Sequence, residues 1–217
     1  MATTSYSREE QITPPGSTPP RDPGVTRTLI VAIRYTVVTT ILLGFVYPLV
    51  VTGIAQLTMR HKADGSLITR NGQIIGSALI GQGFASPRYF HSRPSDAGNG
   101  WDATNSGGSN LAPTNKALVT RVETDVATWH KQDPGQGPVP IGLVTTSASG
   151  LDPDISPAGA YYQVPMVAAA RHLPESQVRA LVTSHIQGRD FGFLGEPRVN
   201  VLELNLALDA LTPSSQR

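Results

Sequence analysis

Cysteine is absent from this chain of 217 residues. Because the chain has no thiols, it cannot contain disulfide bonds, thiolate catalysis or cysteine-ligated metal sites. The absence of cysteine does not show in which cellular compartment the protein lies. Charged residues make up 15% of the chain, the formal net charge is +1, and no basic stripe carries interleaved aromatic residues. Nucleic acid is therefore not an expected partner. The Walker A, Gly-x-Gly-x-x-Gly, His-Glu-x-x-His and Gly-x-Ser-x-Gly patterns are also missing, so no metal site or standard catalytic motif is predicted.

One long stretch lacks charge altogether. Residues 35–59 contain no Asp, Glu, Lys, Arg or His, and Arg34 and Arg60 flank them. As a helix, these residues would extend about 37 Å at ~1.5 Å per residue, whereas the hydrocarbon core of a bilayer is about 30 Å thick. A helix also satisfies its own backbone in lipid. The sequence therefore predicts a single transmembrane anchor helix over residues 28–59.

The two alternatives to this anchor are a buried helix of a soluble protein and a cleaved signal peptide. A buried helix of a soluble protein rarely contains so long an uncharged run. A cleaved signal peptide would end at the small-x-small pattern of residues 53–55, and cleavage after Ala55 would release a soluble binding protein. Signal sequences have shorter apolar regions of about 7–15 residues, so the uncleaved anchor is favoured.

The residues before the anchor predict its orientation. Residues 1–24 are rich in proline, serine and charge, so we expect a disordered tail. Basic residues are slightly more numerous before the span than directly after it: Arg8, Arg21, Arg27 and Arg34 against Arg60, Lys62 and Arg70. The positive-inside rule then places the N-terminus in the cytoplasm and residues 60–217 outside the bacterial inner membrane.

The part after the anchor mixes strand and helix patterns, which predicts an α/β (mixed α+β) domain. Asn71-Gly72 is a hairpin signal between two short strands. Ser156 is expected to cap a helix whose first residue is Pro157, and Pro48 is expected to kink the anchor or to mark a contact with a partner. The other predicted elements are helices over 115–131, 157–171 and from 174, and strands over 142–146 and 198–208.

Two loops invite a chemical interpretation. Ser106, Gly107, Gly108 and Ser109 could expose backbone N–H groups to an anion, or could be an ordinary loop that leads into the next helix.

Ser147 and Ser149, with Asp152 or Asp154 and with His172 or His185, would suit a membrane-anchored extracytoplasmic hydrolase. A triad is recognised by geometry, however, and the same aspartates suit turns around Pro153.

Taken in order, several short motifs resemble a known family, the C subunit of the bacterial Kdp potassium-transporting P-type ATPase (KdpC). No single motif is specific to this family, but the order in which the motifs occur over about residues 35–211 is specific to it. The matching segments are 47–49 with Gly53, 76–77, 81–82, 89–95, 106–111, 146–152, 155–157, 162–165, 199–200 and 205–209.

The resemblance implies an accessory subunit of an ATP-driven high-affinity potassium uptake complex, without catalysis of its own. Its partners would be a channel-like potassium-translocating subunit, a P-type ATPase subunit and a small membrane subunit, in the lipid bilayer. The family implies a chaperone-like partner that raises the pump subunit's affinity for ATP, and a nucleotide loop at residues 106–109. Because ATP is cytoplasmic, an external domain would act on ATP affinity through the complex instead.

Four residues depart from the pattern that the resemblance leads us to expect. Trp101-Asp102 stand in place of Tyr-Asn, Ala112 in place of Gly, and Met166 in place of Arg. The last change removes a charge, so any family contact at that position is not expected here.

Overall fold

The computed structural model describes residues 24–132 and 137–211. The predicted tail, residues 1–24, therefore lies outside the described residues except for Gly24. The chain divides into two compact units, Met1–Thr58 and Met59–Arg217.

The first unit contains one continuous helical stretch, Val25–Thr58, of 34 residues. It consists of helix α1 (Val25–Ile41), a π-helical turn (Leu42–Val46) and helix α2 (Tyr47–Thr58), and its large apolar side chains are exposed. Among the residues that the structure describes, length and composition thus confirm one N-terminal apolar helix of membrane-spanning length. The helix begins before the uncharged run and includes Arg27 and Arg34.

The irregularity predicted at Pro48 takes the form of the π-helical turn. Proline has no N–H, and in a regular α-helix its ring would press on the carbonyl of Gly44. The chain widens just before this point, where the N–H of Tyr47 donates to the carbonyl of Leu42, five residues earlier. A π turn of this kind accommodates the proline without ending the helix.

The second unit begins with a short helix α3 (Arg60–Ala63) and the predicted hairpin. Strands β1 (Leu67–Arg70) and β2 (Gln73–Ser77) pair antiparallel, with a bulge between Ile68 and Thr69. Asn71 and Gly72 both have positive φ, 53° and 78°, as a tight turn between twisted strands requires.

Two helices begin where the sequence predicts. Helix α4 (Lys116–Gln132) follows Asn115, whose Oδ1 accepts the N–H of Ala117 at 2.8 Å. Helix α5 (Pro157–Arg171) follows Ser156, whose Oγ accepts the N–H of Gly159 at 3.1 Å. These caps satisfy N–H groups that a helix start leaves unpaired. Helix α5 continues through its internal proline and ends at Arg171.

Two predicted strands are wrong. Residues 142–146 do not form a strand, because the first two belong to a 3₁₀ turn, Ile141–Leu143, whose C-cap is Val144. Residues 198–208 contain only the short strand β4 (Val199–Asn200), paired antiparallel with β3 (Asp154–Ile155), and then helix α7 (Val201–Leu211). Leucines at every second position suggested a strand. In α7, however, polar Asn205 is buried together with the leucines, so the buried residues recur at the spacing of a helix.

The core of the second unit lies among α4, α5, α7 and helix α6 (Glu175–Ser184), which begins after Pro174 as expected. Its fully buried side chains include Phe90, Leu143, Val164, Val167, Val178, Val182, Val199, Leu204 and Leu208. Helices supply most of this core, and strands β3 and β4 contribute Ile155 and Val199, so the mixed α+β class is confirmed.

Candidate functional site

Three loops from distant parts of the sequence meet on one side of the second unit. They are residues 93–97, 106–109 and 145–152, here called the loop platform. Ser95 Oγ donates to the carbonyl of Gly150 at 2.6 Å, which joins the first loop to the third. The same oxygen accepts N–H groups of Ala97 and Trp101 (3.2 and 2.8 Å), so one hydroxyl organises the turn that follows it.

The second loop is joined to the third through backbone atoms. Gly107 N–H and Ser106 Oγ both donate to the carbonyl of Ser149, at 2.9 and 3.0 Å. A Cβ on Gly108 would lie 3.0 Å from the carbonyl oxygen of Ala148, and one on Gly150 would lie 2.6 Å from the carbonyl oxygen of Gly107. The glycines therefore serve close packing of loop against loop.

An arginine from the first loop secures the third. The guanidinium of Arg93 donates to the carbonyls of Thr145 and Thr146, both at 3.3 Å, and to Asp152 Oδ2 at 3.1 Å. An arginine guanidinium carries five N–H donors in a fixed planar arrangement, so it can bond several acceptors at once. Hydrogen bonds thus join three loops whose contacting residues lie 43 to 59 positions apart in the sequence.

The predicted nucleotide loop, Ser106, Gly107, Gly108 and Ser109, forms one part of this platform. Ser106 is exposed, and the other three are half-buried. The N–H of Gly107 is already bonded to Ser149, and Ser109 Oγ accepts the N–H of Leu111 at 3.4 Å. Binding of ATP at this loop stays a prediction from the family resemblance.

The predicted hydrolase serines lie on the same platform. Ser147 Oγ and Ser149 Oγ are 3.3 Å apart, and Ser149 Oγ accepts the N–H of Leu151. His172 directly follows helix α5, and His185 Nδ1 contacts the carbonyl of Leu181 at 2.8 Å. Among the described residues, no hydrogen bond joins either serine to a histidine, so the geometry of a triad is not assembled here.

A pocket of about 540 Å³ opens beside the platform. Arg93 and Arg198 meet Asp152, Asp154 and Glu196 along its lining. Burial, together with the neighbouring Asp152 carboxylate, raises the pKa of Asp154, although Arg198 at 3.4 Å opposes this shift. The lining of the pocket therefore carries charges of both signs. Such a lining suits contact with a polar surface or another protein better than binding of a strongly charged anion.

Two buried amides hold the extended segment at Phe90 and His91. Asn205 Oδ1 accepts the N–H of Phe90 (2.8 Å), and its Nδ2 donates to the carbonyl of Phe90 (2.9 Å). Gln163 makes the same pair of bonds with His91, at 2.7 and 3.1 Å. This segment leads directly into the platform at Arg93, so α5 and α7 position the loops through these two side chains.

A buried ion pair lies next to those amides. Arg171 Nη2 is 2.8 Å from Asp209 Oδ1, and Arg70 Nη1 is 3.1 Å from Asp209 Oδ2. Arg171 also donates to the carbonyl of Arg88 at 2.7 Å and lies over the ring of Tyr89. Burial alone would raise the pKa of Asp209, but hydrogen bonds from Arg171 and Arg70 outweigh it and lower the pKa.

The sequence did not predict that Arg171 and Asp209 form an ion pair. The available signal was an arginine in α5, a helix whose other buried residues are uncharged. A cation there implies a buried anion on another element.

Three of the four departures from the family pattern, Trp101, Asp102 and Met166, have local contacts. The Trp101 ring packs against Gly83, where a Cβ would lie 2.7 Å from a ring atom. Asp102 Oδ1 accepts the N–H and hydroxyl of Thr104, at 2.9 and 2.6 Å, and these bonds lower its pKa. Met166 packs at the edge of the core, where an arginine would need a separate partner.

Within residues 24–132 and 137–211, no group of three or more His, Asp or Glu side chains is placed to hold a metal ion. His91 lies against Trp129, with ring centroids 5.6 Å apart, and its pKa is lowered chiefly by burial.

Comparison with known proteins decides the family. The family model of the K+-transporting ATPase c chain, KdpC, matches residues 29–210. This chain belongs to the KdpC family. The resemblance drawn from the ordered motifs is therefore confirmed, and the match includes most of the apolar helix and the whole loop platform.

Individual relatives cover nearly the same range. The potassium-transporting ATPase KdpC subunit of Koribacter versatilis is 57% identical over 187 residues, which are 86% of this chain and 96% of that protein. The subunit of the same name in Acidobacterium capsulatum is 58% identical over 180 residues (83% and 96%). That of Caulobacter vibrioides is 55% identical over 175 residues (80% and 88%).

Proposed function

We propose that this chain is an accessory subunit of an ATP-driven potassium uptake complex, and that it assembles and stabilises that complex without catalysing a reaction itself. The observation that carries the proposal is the KdpC match over residues 29–210, which spans most of the apolar helix and of the folded unit. The relatives are named as subunits of a potassium-transporting ATPase.

The form of the folded unit suits such a role. One of its surfaces is the loop platform, which is held by backbone carbonyls, Arg93 and close-packed glycines. A surface that is already ordered loses little conformational freedom when a partner binds, so it can support assembly efficiently.

The partners in this proposal are the channel-like potassium-translocating subunit, the P-type ATPase subunit and the small membrane subunit. The helix Val25–Thr58 anchors the chain in the bacterial inner membrane. Thr40, Gly44, Thr52 and Gly53 give it small or short polar side chains, and such residues allow close approach of a neighbouring helix.

We place the N-terminus in the cytoplasm and the folded unit outside, from the excess of arginine before the span. The chain then acts on ATP affinity as a chaperone-like partner, with coupling that runs through the membrane subunits. Direct binding of ATP at residues 106–109 would require the opposite orientation, because ATP is cytoplasmic.

The test compares the detergent-solubilised complex with and without this chain. A tag on the pump subunit should recover the chain in fixed ratio. The proposal predicts a higher KM for ATP, or loss of intact complex, when the chain is omitted, and restoration when it is added back. Failure of the chain to co-purify with the pump subunit would refute the assembly role. An unchanged KM in a stable complex would refute the effect on ATP.

A further inference from the structure

A hairpin at residues 187–198, here called the aromatic hairpin, projects apolar side chains from the folded unit. Phe191 is 88% exposed and Phe193 is 70% exposed, and Leu194 lies beside them at 48%. Aromatic side chains bury about 150–250 Å² each in a core or interface. The tip therefore offers roughly 300 Å² of apolar surface, about the size of the largest apolar patch on a typical monomer, which is often functional.

The hairpin is ordered by contacts below its tip. Asp190 and Leu194 exchange both backbone hydrogen bonds, each at 2.9 Å. Arg189 Nη2 contacts both carboxylate oxygens of Glu196, at 2.9 and 2.7 Å, and closes the two arms. The exposed rings are thus presented on a preorganised support, which lowers the entropic cost of docking.

The backbone at the tip does not favour the residue found there. Phe191 has φ 54°, in the left-handed region that bulky residues rarely adopt and that suits glycine or asparagine. Its ring is also exposed, so burial within this unit does not explain it. A contact with another molecule is therefore the remaining explanation for an aromatic ring at this position.

The charges around the tip favour protein over lipid. Arg189 pairs with Glu196, and Arg198 lies 3.6 Å from Asp190, so the hairpin's charges balance. Segments that bind anionic membrane surfaces carry an excess of Lys and Arg. Aromatic anchors within a ring of paired charges are instead the usual composition of a protein interface.

We propose that the aromatic hairpin inserts Phe191 and Phe193 into an apolar cleft on another protein subunit of the same membrane complex, with paired charges of both signs around the cleft. The 540 Å³ pocket extends this contact surface, because Glu196, Pro197 and Arg198 line it from the base of the hairpin. The inference rests on the proposed assembly role and assigns part of it to these side chains.

The test uses the full complex with a tag on the pump subunit. Phe191→Gly removes the ring but relieves the backbone, and Phe193→Ala removes the second ring. Ile74→Ala is the matched control, since Ile74 is 64% exposed on the other hairpin. The amount of chain recovered is measured together with the thermal unfolding midpoint of each variant. A benzophenone-bearing phenylalanine analogue in place of Phe193 then identifies what the tip touches.

We expect the two Phe variants to lower recovery by about tenfold or more, with no loss of thermal stability for Phe191→Gly, while Ile74→Ala behaves as wild type. The photoreactive residue should cross-link to one other subunit. Wild-type recovery of both Phe variants, or cross-linking to lipid or to a second copy of this chain, would overturn the inference and leave the assembly role intact. If the wild-type chain does not co-purify, the assembly role fails and the inference falls with it.

Discussion

Arg171 and Asp209 form a buried ion pair between the end of helix α5 and the last turns of helix α7. Their nearest atoms are 2.8 Å apart, and the two side chains are only 1% and 11% exposed. Arg171 also contacts the carbonyl of Arg88, at the segment that leads into the loop platform. The pair therefore connects the helical core to the loops.

Removing the cation from this pair should strongly destabilise the folded unit. Arg171→Met keeps much of the length of the side chain but leaves a buried carboxylate with one partner fewer. Loss of one member of a buried pair costs about 3–5 kcal/mol, which corresponds to a fall of about 10 °C in the unfolding midpoint. Arg189→Met is the control, because the Arg189–Glu196 pair is exposed and should contribute less than about 1 kcal/mol. Equal effects of the two substitutions on thermal unfolding would contradict this assignment.

Acid should weaken the same contact. The pKa of Asp209 is lower in the folded chain than its ordinary value of about 3.9. Its stabilising contribution is therefore present above about pH 4 and is lost as the pH falls through the depressed pKa.

Urea unfolding at pH 7, 5, 4 and 3 would measure this contribution. The difference in unfolding free energy between wild type and Asp209→Asn should be constant above about pH 5 and shrink below about pH 4. A difference that persists unchanged to pH 3 would show that Asp209 does not act through its charge.

The buried amide Gln163 provides a second test of the core. Gln163→Leu conserves approximate volume but leaves the N–H and C=O of His91 without their side-chain partner. Each unsatisfied buried group costs about 1–3 kcal/mol, so we expect a loss of about 2–4 kcal/mol in urea unfolding. Gln177→Leu, at an exposed position of α6, should change the free energy of unfolding by less than about 0.5 kcal/mol. A loss no larger than that of the control would rule out the bonding role of Gln163.

Local signals in the sequence predicted much of this fold. Asn71-Gly72 marked the hairpin, Ser156 and Pro157 marked the start of α5, and the uncharged run marked the apolar helix. In each case adjacent residues determine the conformation through turn dihedrals, helix caps or length. The ordered motifs likewise predicted the family.

Signals that depend on distant contacts were harder to interpret. Leucines at every second position of 202–208 fit a strand as well as a helix, and Asn205 reads as polar and exposed until its bonds to Phe90 are seen. The loop platform was visible only as two separate loops, because Ser95 and Gly150 meet through tertiary structure. The Phe191 hairpin was missed because exposure of an aromatic residue cannot be deduced from its neighbours.

Close packing of the platform gives a further prediction. Gly150 has φ 67°, and an added Cβ would lie 2.6 Å from backbone atoms of Ala97 and Gly107. Gly150→Ala must therefore shift one loop and should cost about 2–4 kcal/mol through overpacking and backbone strain. Gly142→Ala is the matched control, since its Cβ would meet no atom within 4 Å. Thermal unfolding of the two variants should differ clearly, and equal midpoints would refute the tight fit of the loops.

The side of the membrane on which the folded unit lies tests the central claim most directly. Because the chain has no cysteine, single cysteines can replace Ser109 on the platform and Ser5 near the N-terminus, and intact cells can be treated with a membrane-impermeant maleimide before and after permeabilisation. We predict that only the Ser109→Cys variant is labelled in intact cells, and that both are labelled afterwards. Labelling of only the Ser5→Cys variant in intact cells would contradict the account, because the platform would then face the cytoplasm and residues 106–109 would be open to ATP.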